Sequence, residues 1–234
     1  MAIIEYKYFS NILIRNTEIS IVIPDNELIE NCNVVYLLHG FCGDHHDWLT
    51  LGDAFNLAMK YKTILIMPNG YNSWYINHYQ GFRYYDLIAN EIFNKICSTF
   101  PLNKEKLYIA GLSMGGFGAM YIGLRKNIFK GIGFFSGVDT DDRNNPNYEV
   151  RHIFEHIKEE DTFKYYLKDS NRKQKLIYHY CGRKDFLYEH NLAYKKLFEN
   201  ACDEYIYKED DRGHQWDAWR DCLDDYLKII NTMN

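Results

Sequence analysis

The sequence predicts an α/β fold built on a mostly parallel central sheet with helices on both faces. Apolar, strand-like runs alternate with amphipathic helical segments over most of the chain, and no internal repeat or Pro/Gly/Ser-rich linker interrupts them. A length of 234 residues is enough to bury one sizeable core and lies within the range of one α/β domain. We therefore expect a single domain spanning residues 1–234.

The N-terminal half predicts an antiparallel edge followed by buried parallel strands. The runs IIEYKYF and NILIRNTEISIVIP are rich in β-formers and close enough in sequence to pair with each other. NVVYLLHG and TILIMP are apolar runs of the buried, parallel type, separated by the helical segment DAFNLAMKY. A second helix is predicted before the strand LYIA because apolar residues recur at helical spacing, namely Leu87, Ile88, Ile92, Ile96 and Phe100.

The C-terminal half continues the alternation around one interruption. GIGFFSG, KLIYHYCG and EYIYKED read as strands, and HNLAYKKLFENA and WDAWRDCLDDYLKIIN read as helices. Residues 139–173 are polar, with amphipathic pieces that predict short helices. We expect this segment to be a small cap-like insertion over the sheet.

Composition excludes several classes of function. The net charge of -5 gives no basic footprint for nucleic acid, and no apolar run approaches the length of about 20 residues that spans a bilayer. The first residues lack the pattern of a secretory leader, so we expect a cytoplasmic protein. Six scattered cysteines without a Cys-x-x-Cys pair indicate free thiols. The sequence leaves a homo-oligomer open.

A serine between glycines is the strongest chemical signal. Gly111-Leu112-Ser113-Met114-Gly115 fits G-x-S-x-G and lies between a predicted strand and a predicted helix. In such a nucleophile elbow, a strained serine exposes its hydroxyl above the sheet, and side chains at the flanking glycines would collide with neighbouring backbone. Ser113 is therefore the candidate nucleophile.

A nucleophilic serine needs a base and a carboxylate that orients the base, and in this arrangement both follow the serine in the sequence. Among the later histidines, His214 lies in the loop DRGHQW directly after a predicted strand, which suits a general base. For the acid we favour Asp185, because GRKD is a short turn after an apolar strand. Asp139, after the preceding strand, is the fallback.

The oxyanion of such a reaction needs two backbone donors. We assign them to the N–H groups of Phe41, in LLHGFCG, and of Met114, at the start of the helix behind Ser113. His39 is expected to be a buried, hydrogen-bonded support rather than a catalyst.

The run Asp44-His45-His46-Asp47 raises the question of a metal site. Neighbouring side chains diverge, and no further Cys/His cluster closes a coordination shell, so we expect no metal here. We expect no cofactor either.

Six motifs together resemble the esterase D group of α/β-hydrolases, especially small bacterial tributyrin esterases and acetylesterases. They are YLLHGFCGDHHDWL, MPNGYNSWY, YYDLIANEI, IAGLSMGGFGAM, GRKDFLYEHN and GHQWDAW, and they span nearly the whole chain in the right order. The resemblance implies an α/β-hydrolase fold and a serine carboxylesterase that hydrolyses short-chain acyl esters, acetyl to butyryl, including acetylated carbohydrates. It also implies the triad Ser113, Asp185 and His214. Cys42 departs from the close relatives, which suggests sensitivity to thiol reagents.

Aromatic residues next to these motifs are expected to wall the substrate site, namely Trp48, Trp74, Tyr75, Phe186 and Trp216. The partner would be a small-molecule ester. Related S-formylglutathione hydrolases and feruloyl esterases share the elbow, and an acyltransferase would use the same triad, so these remain alternatives. A peptidase is disfavoured because no propeller or large cap is present in the sequence. A non-catalytic binding module is disfavoured because every triad candidate is present.

Overall fold

The computed structural model describes residues 2–25, 27–138, 154, 156, 158, 162–168, 176–199 and 202–233. These residues contain an eight-stranded sheet with the strand order β1-β2-β4-β3-β5-β6-β7-β8. The strands are β1 (Ala2–Ser10), β2 (Arg15–Ile23), β3 (Asn33–Leu38), β4 (Thr63–Pro68), β5 (Leu107–Leu112), β6 (Gly131–Phe135), β7 (Leu176–Tyr180) and β8 (Glu204–Lys208).

Most neighbouring strands of the sheet are parallel, as the sequence predicts. β1 pairs antiparallel with β2, and β2 antiparallel with β4, whereas the pairs from β4 through β3, β5, β6 and β7 to β8 are parallel. The expected N-terminal antiparallel pair is thus confirmed. Its second strand begins later than the run NILIRNTEISIVIP suggests, because Ile14 adopts a left-handed conformation (φ 53°) and residues 11–14 form the connecting turn.

Helices and turns connect the strands. The described helices are Asp47–Thr50, Ala54–Tyr61, Tyr84–Asp86, Phe93–Thr99, Met114–Lys126, Phe163–Tyr166, Tyr188–Phe198 and Trp216–Thr232, with a 3₁₀ turn at Ile29–Asn31. The helix predicted from the spacing of Leu87, Ile88, Ile92 and Ile96 is present but not uniform. A π-helical segment, Leu87–Ile92, joins its two α-helical parts, and these four apolar residues are buried.

The core lies in two layers, one on each face of the sheet. β3 is buried on both faces: Tyr36 and Leu38 pack into one layer, and Val35 and Leu37 into the other. The first layer includes side chains of the helices Met114–Lys126 and Tyr188–Phe198, and the second includes those of Ala54–Tyr61 and Trp216–Thr232. Helices therefore cover both faces, as predicted.

The cap-like insertion expected at 139–173, and the fallback acid Asp139 with it, lies largely outside the described residues. Within the part that is described, Phe154 and Phe163 are buried, and each packs on Phe117, with ring centroids 5.3 and 5.5 Å apart. This polar segment thus contributes aromatic anchors to the core. Among the described residues, none of the helices combines the length and the hydrophobicity that a membrane span requires.

Candidate active site

Ser113 occupies the tight corner that the sequence predicts. It lies between β5 and the helix Met114–Lys126 with φ 53° and ψ -118°, a conformation that L-residues rarely adopt. The Ser113 N–H donates to the Phe135 carbonyl (2.8 Å), and the Ser113 carbonyl accepts from the Phe117 N–H (3.0 Å). The surrounding backbone therefore holds the strained residue in place, and its side chain stays partly accessible.

The glycines on either side of Ser113 are required by close backbone approach. A Cβ on Gly111 would lie 2.3 Å from the Gly115 carbonyl oxygen, and a Cβ on Gly115 would lie 2.4 Å from that of Leu38. Both distances are far below van der Waals contact. The G-x-S-x-G pattern is thus a packing requirement of the corner.

His214 and Asp185 come together across 29 residues of sequence. His214 Nδ1 lies 2.8 Å from Asp185 Oδ2, and the Asp185 side chain is fully buried while that of His214 is 18% exposed. His214 lies in the loop after β8 and Asp185 in the loop after β7, and these strands are parallel neighbours. Since β7 and β8 end at the same edge of the sheet, the two loops meet there.

Asp185 is held in its charged form. Burial alone would raise the pKa of Asp185, but hydrogen bonds from His214 and from the Leu187 N–H (2.9 Å) outweigh it, and the pKa lies below its ordinary value. A carboxylate only accepts hydrogen bonds, so the neutral His214 ring carries its proton on Nδ1. Its Nε2 is then the basic nitrogen.

Ser113 and His214 line one cavity of about 410 Å³ at this edge of the sheet. Its other lining residues are Gly40, Phe41, Asp47, Leu112, Phe186, Trp216 and Trp219. The nucleophile and base candidates thus line the same cavity, and Asp185 contacts Nδ1 of His214 from outside the cavity lining.

The two candidate oxyanion donors lie at the same cavity. Phe41 lines it directly, and Met114 is the first residue of the helix that follows Ser113. Neither backbone N–H donates a hydrogen bond to another described residue, whereas the N–H of the next residue, Cys42, is engaged by Asn72 Oδ1 (2.7 Å). Two unused donors at a helix start and an adjacent loop suit an anionic oxygen.

His39 is a buried support, as expected. Its Nε2 accepts from the Gly70 N–H (2.9 Å), so its Nδ1 carries the proton and donates to the Gly40 carbonyl (2.7 Å). Burial lowers the pKa of His39 to about 4, so the ring is neutral. Through its hydrogen bond with Gly70, the His39 ring links the loop after β3 to the loop after β4.

The five proposed aromatic wall residues divide into two groups. Phe186 and Trp216 line the cavity, and the Phe186 ring lies 4.6 Å from that of His214. Trp48, Trp74 and Tyr75 are buried and lie outside its lining. They support the site instead.

Their contacts explain this supporting role. Trp48 donates a hydrogen bond from Nε1 to the Leu38 carbonyl (3.0 Å), and its ring packs on that of Trp216. The Tyr75 hydroxyl donates to the His39 carbonyl (2.9 Å). Trp74 packs against Phe41, with ring centroids 6.1 Å apart. Position next to a motif does not separate the two groups, because it does not indicate whether a side chain points into the cavity or into the core.

Two side chains that line the cavity, those of Trp219 and Asp47, were not anticipated as site residues from the sequence. Trp219 lines the cavity, packs edge-on against His214 at 4.7 Å, and donates from Nε1 to Ser136 Oγ (3.2 Å). Asp47 lines the cavity as a half-buried carboxylate whose pKa is raised by burial and by Asp44. The spacing of Trp219 three residues after Trp216, on one helix face, was the available signal.

The expectation that His45 and His46 diverge is wrong. Their rings pack with centroids 3.9 Å apart, and both Nε2 atoms face Glu5 Oε2 on β1. The backbone can bring these neighbours together because the chain turns through residues 44–46 into the helix Asp47–Thr50. All six cysteines are free, as predicted, and Cys42 is exposed beside Phe41.

Comparisons with known proteins agree with this architecture. Residues 10–229 match the family described as "Putative esterase". An acetyl esterase of Caldicellulosiruptor saccharolyticus is 33% identical, with 94% of each chain covered.

Solved structures show the same fold. An S-formylglutathione hydrolase of Staphylococcus aureus superposes with a TM-score of 0.86 at 23% identity, covering 98% of each chain. A ferulic acid esterase gives 0.83 at 21% identity, covering 100% of this chain and 98% of the other. The resemblance to this group of enzymes is therefore confirmed, and the chain belongs to the esterase family as a carboxylic ester hydrolase with the α/β-hydrolase fold.

Proposed function

We propose that the protein is a serine esterase in which Ser113, His214 and Asp185 form the catalytic triad and short-chain acyl esters are the substrates. The observation that carries this proposal is the shared cavity. Ser113 and His214 both line this cavity, and Asp185 Oδ2 lies 2.8 Å from Nδ1 of His214. The elbow conformation of Ser113 supports the same assignment.

The first half of the reaction follows from these positions. His214 Nε2 takes the proton from the Ser113 hydroxyl as its oxygen attacks the ester carbonyl carbon, and Asp185 stabilises the resulting imidazolium. The carbonyl oxygen becomes an oxyanion, which the N–H groups of Phe41 and Met114 bind. Each donor contributes about 3 kcal/mol of transition-state stabilisation by analogy with single-donor deletions.

The second half regenerates the enzyme. The tetrahedral intermediate collapses, His214 gives its proton to the leaving alcohol, and an acyl-Ser113 ester remains. Water then attacks this ester, again with His214 as the base, and the released carboxylic acid leaves Ser113 protonated.

Short acyl groups suit the lining of the cavity. Four aromatic residues line the cavity beside the catalytic pair, namely Phe41, Phe186, Trp216 and Trp219. The rings of Trp48 and Trp219 pack on Trp216, with ring centroids 5.3 and 5.5 Å away. Rings packed this closely restrict the length of an acyl chain. The acetyl esterase relative supports acetyl esters as substrates.

The alcohol side is proposed to be polar. Asp47 brings a carboxylate to the cavity, directly over Gly43, where a Cβ would lie 2.0 Å from Asp47 Oδ2. A carboxylate at a cavity wall accepts hydrogen bonds from hydroxyl groups, and these charge-assisted bonds are the stronger kind. Acetylated carbohydrates carry such hydroxyls.

A panel of esters tests the proposed substrates. We expect kcat/KM for p-nitrophenyl esters to be highest from acetate to butyrate and to fall beyond butyrate, because each further methylene must displace a packed ring. An open apolar channel would instead gain about 0.8 kcal/mol per buried methylene. A steady rise from C4 to C12 would contradict the short pocket.

Acetylated sugars in the same panel test the alcohol side. Release of acetate should be faster from a partly acetylated monosaccharide than from ethyl acetate, since only the sugar offers hydroxyls to Asp47. Equal rates would contradict a polar alcohol site. An added alcohol acceptor that gains the acyl group at the expense of free acetate would mark an acyltransferase.

A further inference from the structure

A cluster of metal-binding side chains lies between β1 and the loop that follows β3. Glu5 comes from β1, and His45 and His46 come from the loop. His45 Nε2 lies 3.6 Å and His46 Nε2 lies 3.2 Å from Glu5 Oε2. One donor atom from each of the three side chains lies within 4.8 Å of the other two.

The distances between these ligand atoms match those in the coordination shell of a tetrahedrally bound zinc ion. Zinc–nitrogen and zinc–oxygen bonds of about 2.0–2.1 Å place the ligand atoms of a tetrahedral shell about 3.4 Å from one another. The two observed nitrogen–oxygen distances, 3.6 and 3.2 Å, lie on either side of that value. A direct hydrogen bond explains the 3.6 Å contact poorly, because it exceeds the normal donor–acceptor range.

Ser20 orients one of the three candidate ligands, and a carboxylate lies near another. Ser20, opposite Glu5 in the β1–β2 pairing, donates its hydroxyl to both Glu5 oxygens (2.8 and 3.0 Å). His46 Nδ1 lies 3.6 Å from Asp44 Oδ1, a carboxylate on the side of the ring away from Glu5. Protein zinc sites commonly have such a carboxylate behind a ligating imidazole.

The accessibility and charge of the side chains also suit a metal. His45 is buried, and its Nδ1 has no hydrogen-bond partner among the described residues, so the polar contacts of this ring are on the Glu5 side. The Glu5 carboxylate supplies a negative charge next to the two imidazoles, which suits a divalent cation. Glu5 and His46 are about half exposed, which leaves room for an ion and water to approach.

We propose that Glu5, His45 and His46 bind a Zn²⁺ ion whose fourth ligand is water. Two imidazoles and one carboxylate form a donor set typical of zinc. The ion would join β1 to the loop 40–46, which contains the oxyanion candidate Phe41 and leads directly into the cavity residue Asp47 at the start of the next helix. Zinc at this site stabilises the protein and fixes that loop, and it takes no part in the attack on the ester.

Metal titration of the chain without an added histidine tag tests the site. After removal of metal with a chelator, Co²⁺ should bind with one ion per chain and show the visible absorption of a four-coordinate site, and Zn²⁺ should displace it. Zinc at about 100 times its Kd should raise the Tm by about 5 °C. Absence of stoichiometric binding would overturn the proposal.

Variants locate the binding. Glu5→Gln keeps the shape of the side chain and His46→Ala removes a half-exposed ring, so both should fold, and each should weaken Co²⁺ binding at least tenfold. His190→Ala, which removes an exposed imidazole on the helix Tyr188–Phe198, should bind like the wild type. Less than twofold weakening in both cluster variants, or an equal loss in His190→Ala, would show that the ion binds elsewhere.

Discussion

The proposed triad divides three tasks among residues of very different exposure. Ser113 is partly accessible, His214 is 18% exposed at its side chain, and the Asp185 side chain is fully buried. Burial of the acid is tolerated because His214 and the Leu187 N–H supply its hydrogen bonds. Trp219 and Phe186 pack against His214, so the ring is held on two sides as well as at Nδ1.

Asp185→Asn tests the choice of acid. The amide has nearly the same shape but can donate to His214 Nδ1, which favours the tautomer that lacks a free Nε2. We expect kcat to fall by about 10⁴ with little change in the far-ultraviolet circular dichroism spectrum. The matched variant Asp139→Asn should keep nearly full activity. The reverse result would identify Asp139 as the acid.

At the scale of elements, the parallel strands bring the site together. β3, β5, β7 and β8 all run in the same direction, so the loops that follow them share one edge of the sheet. These loops contain Phe41, Ser113, Asp185 and His214, in that order. At the Ser113 corner, the following helix packs directly on the backbone at the end of β3.

Gly115→Ala measures how tight that corner is. The added Cβ would lie 2.4 and 2.5 Å from the carbonyl oxygens of Leu38 and His39, so the helix must move away from β3. We expect the free energy of unfolding to fall by about 1–3 kcal/mol, as for other overpacked cores. Urea denaturation provides the measurement.

The control for this variant is Gly213→Ala. A Cβ at Gly213 has its nearest neighbour at 3.4 Å, an ordinary contact. Its free energy of unfolding should stay within about 0.5 kcal/mol of the wild type. Equal losses in the two variants would mean that the corner at Gly115 is not specially constrained.

At the scale of the whole molecule, two buried histidines make the stability of the protein depend on pH. His39 links the loops after β3 and β4, and His179, in β7, contacts Tyr205 (2.8 Å) and Asn191 (2.9 Å). Burial lowers the pKa of each ring to about 4, against 6.5 for an ordinary histidine. Both are neutral in the folded protein.

This burial predicts that mild acid destabilises the protein. The unfolded chain takes up protons on these rings as pH falls through 6.5, whereas the folded chain does so only near pH 4, so stability is lost between those values. At pH 5 the loss relative to pH 7 should be on the order of 2 kcal/mol for each ring. Urea unfolding at several pH values measures it.

A substitution assigns this pH dependence to a residue. His179→Gln removes one of the two titrating rings and should remove about half of the loss between pH 7 and 5, whatever its effect at pH 7. His190→Gln, at an exposed histidine, should leave the loss unchanged. Stability that is flat between pH 7 and 5 in the wild type would contradict the buried neutral rings.

Much of this architecture could be predicted from the sequence because local signals specify it. The strand, glycine spacing and helix around Ser113 are contiguous, and the loops of Asp185 and His214 each directly follow a strand that the sequence predicts. Asp47 and the cluster around Glu5 could not be predicted in the same way. Their roles depend on contacts between distant segments, such as Glu5 with His46, that no local pattern records.

The central claim is that Ser113 is the nucleophile, and covalent labelling tests it most directly. A fluorophosphonate should add to the intact protein once, and peptide mass spectrometry should place the adduct on Ser113. Ser113→Ala should keep its fold, take up no label and lose activity by a factor on the order of 10⁴ to 10⁶. Labelling at another residue, or an unlabelled Ser113→Ala protein that still hydrolyses acetyl esters at the wild-type rate, would contradict the claim.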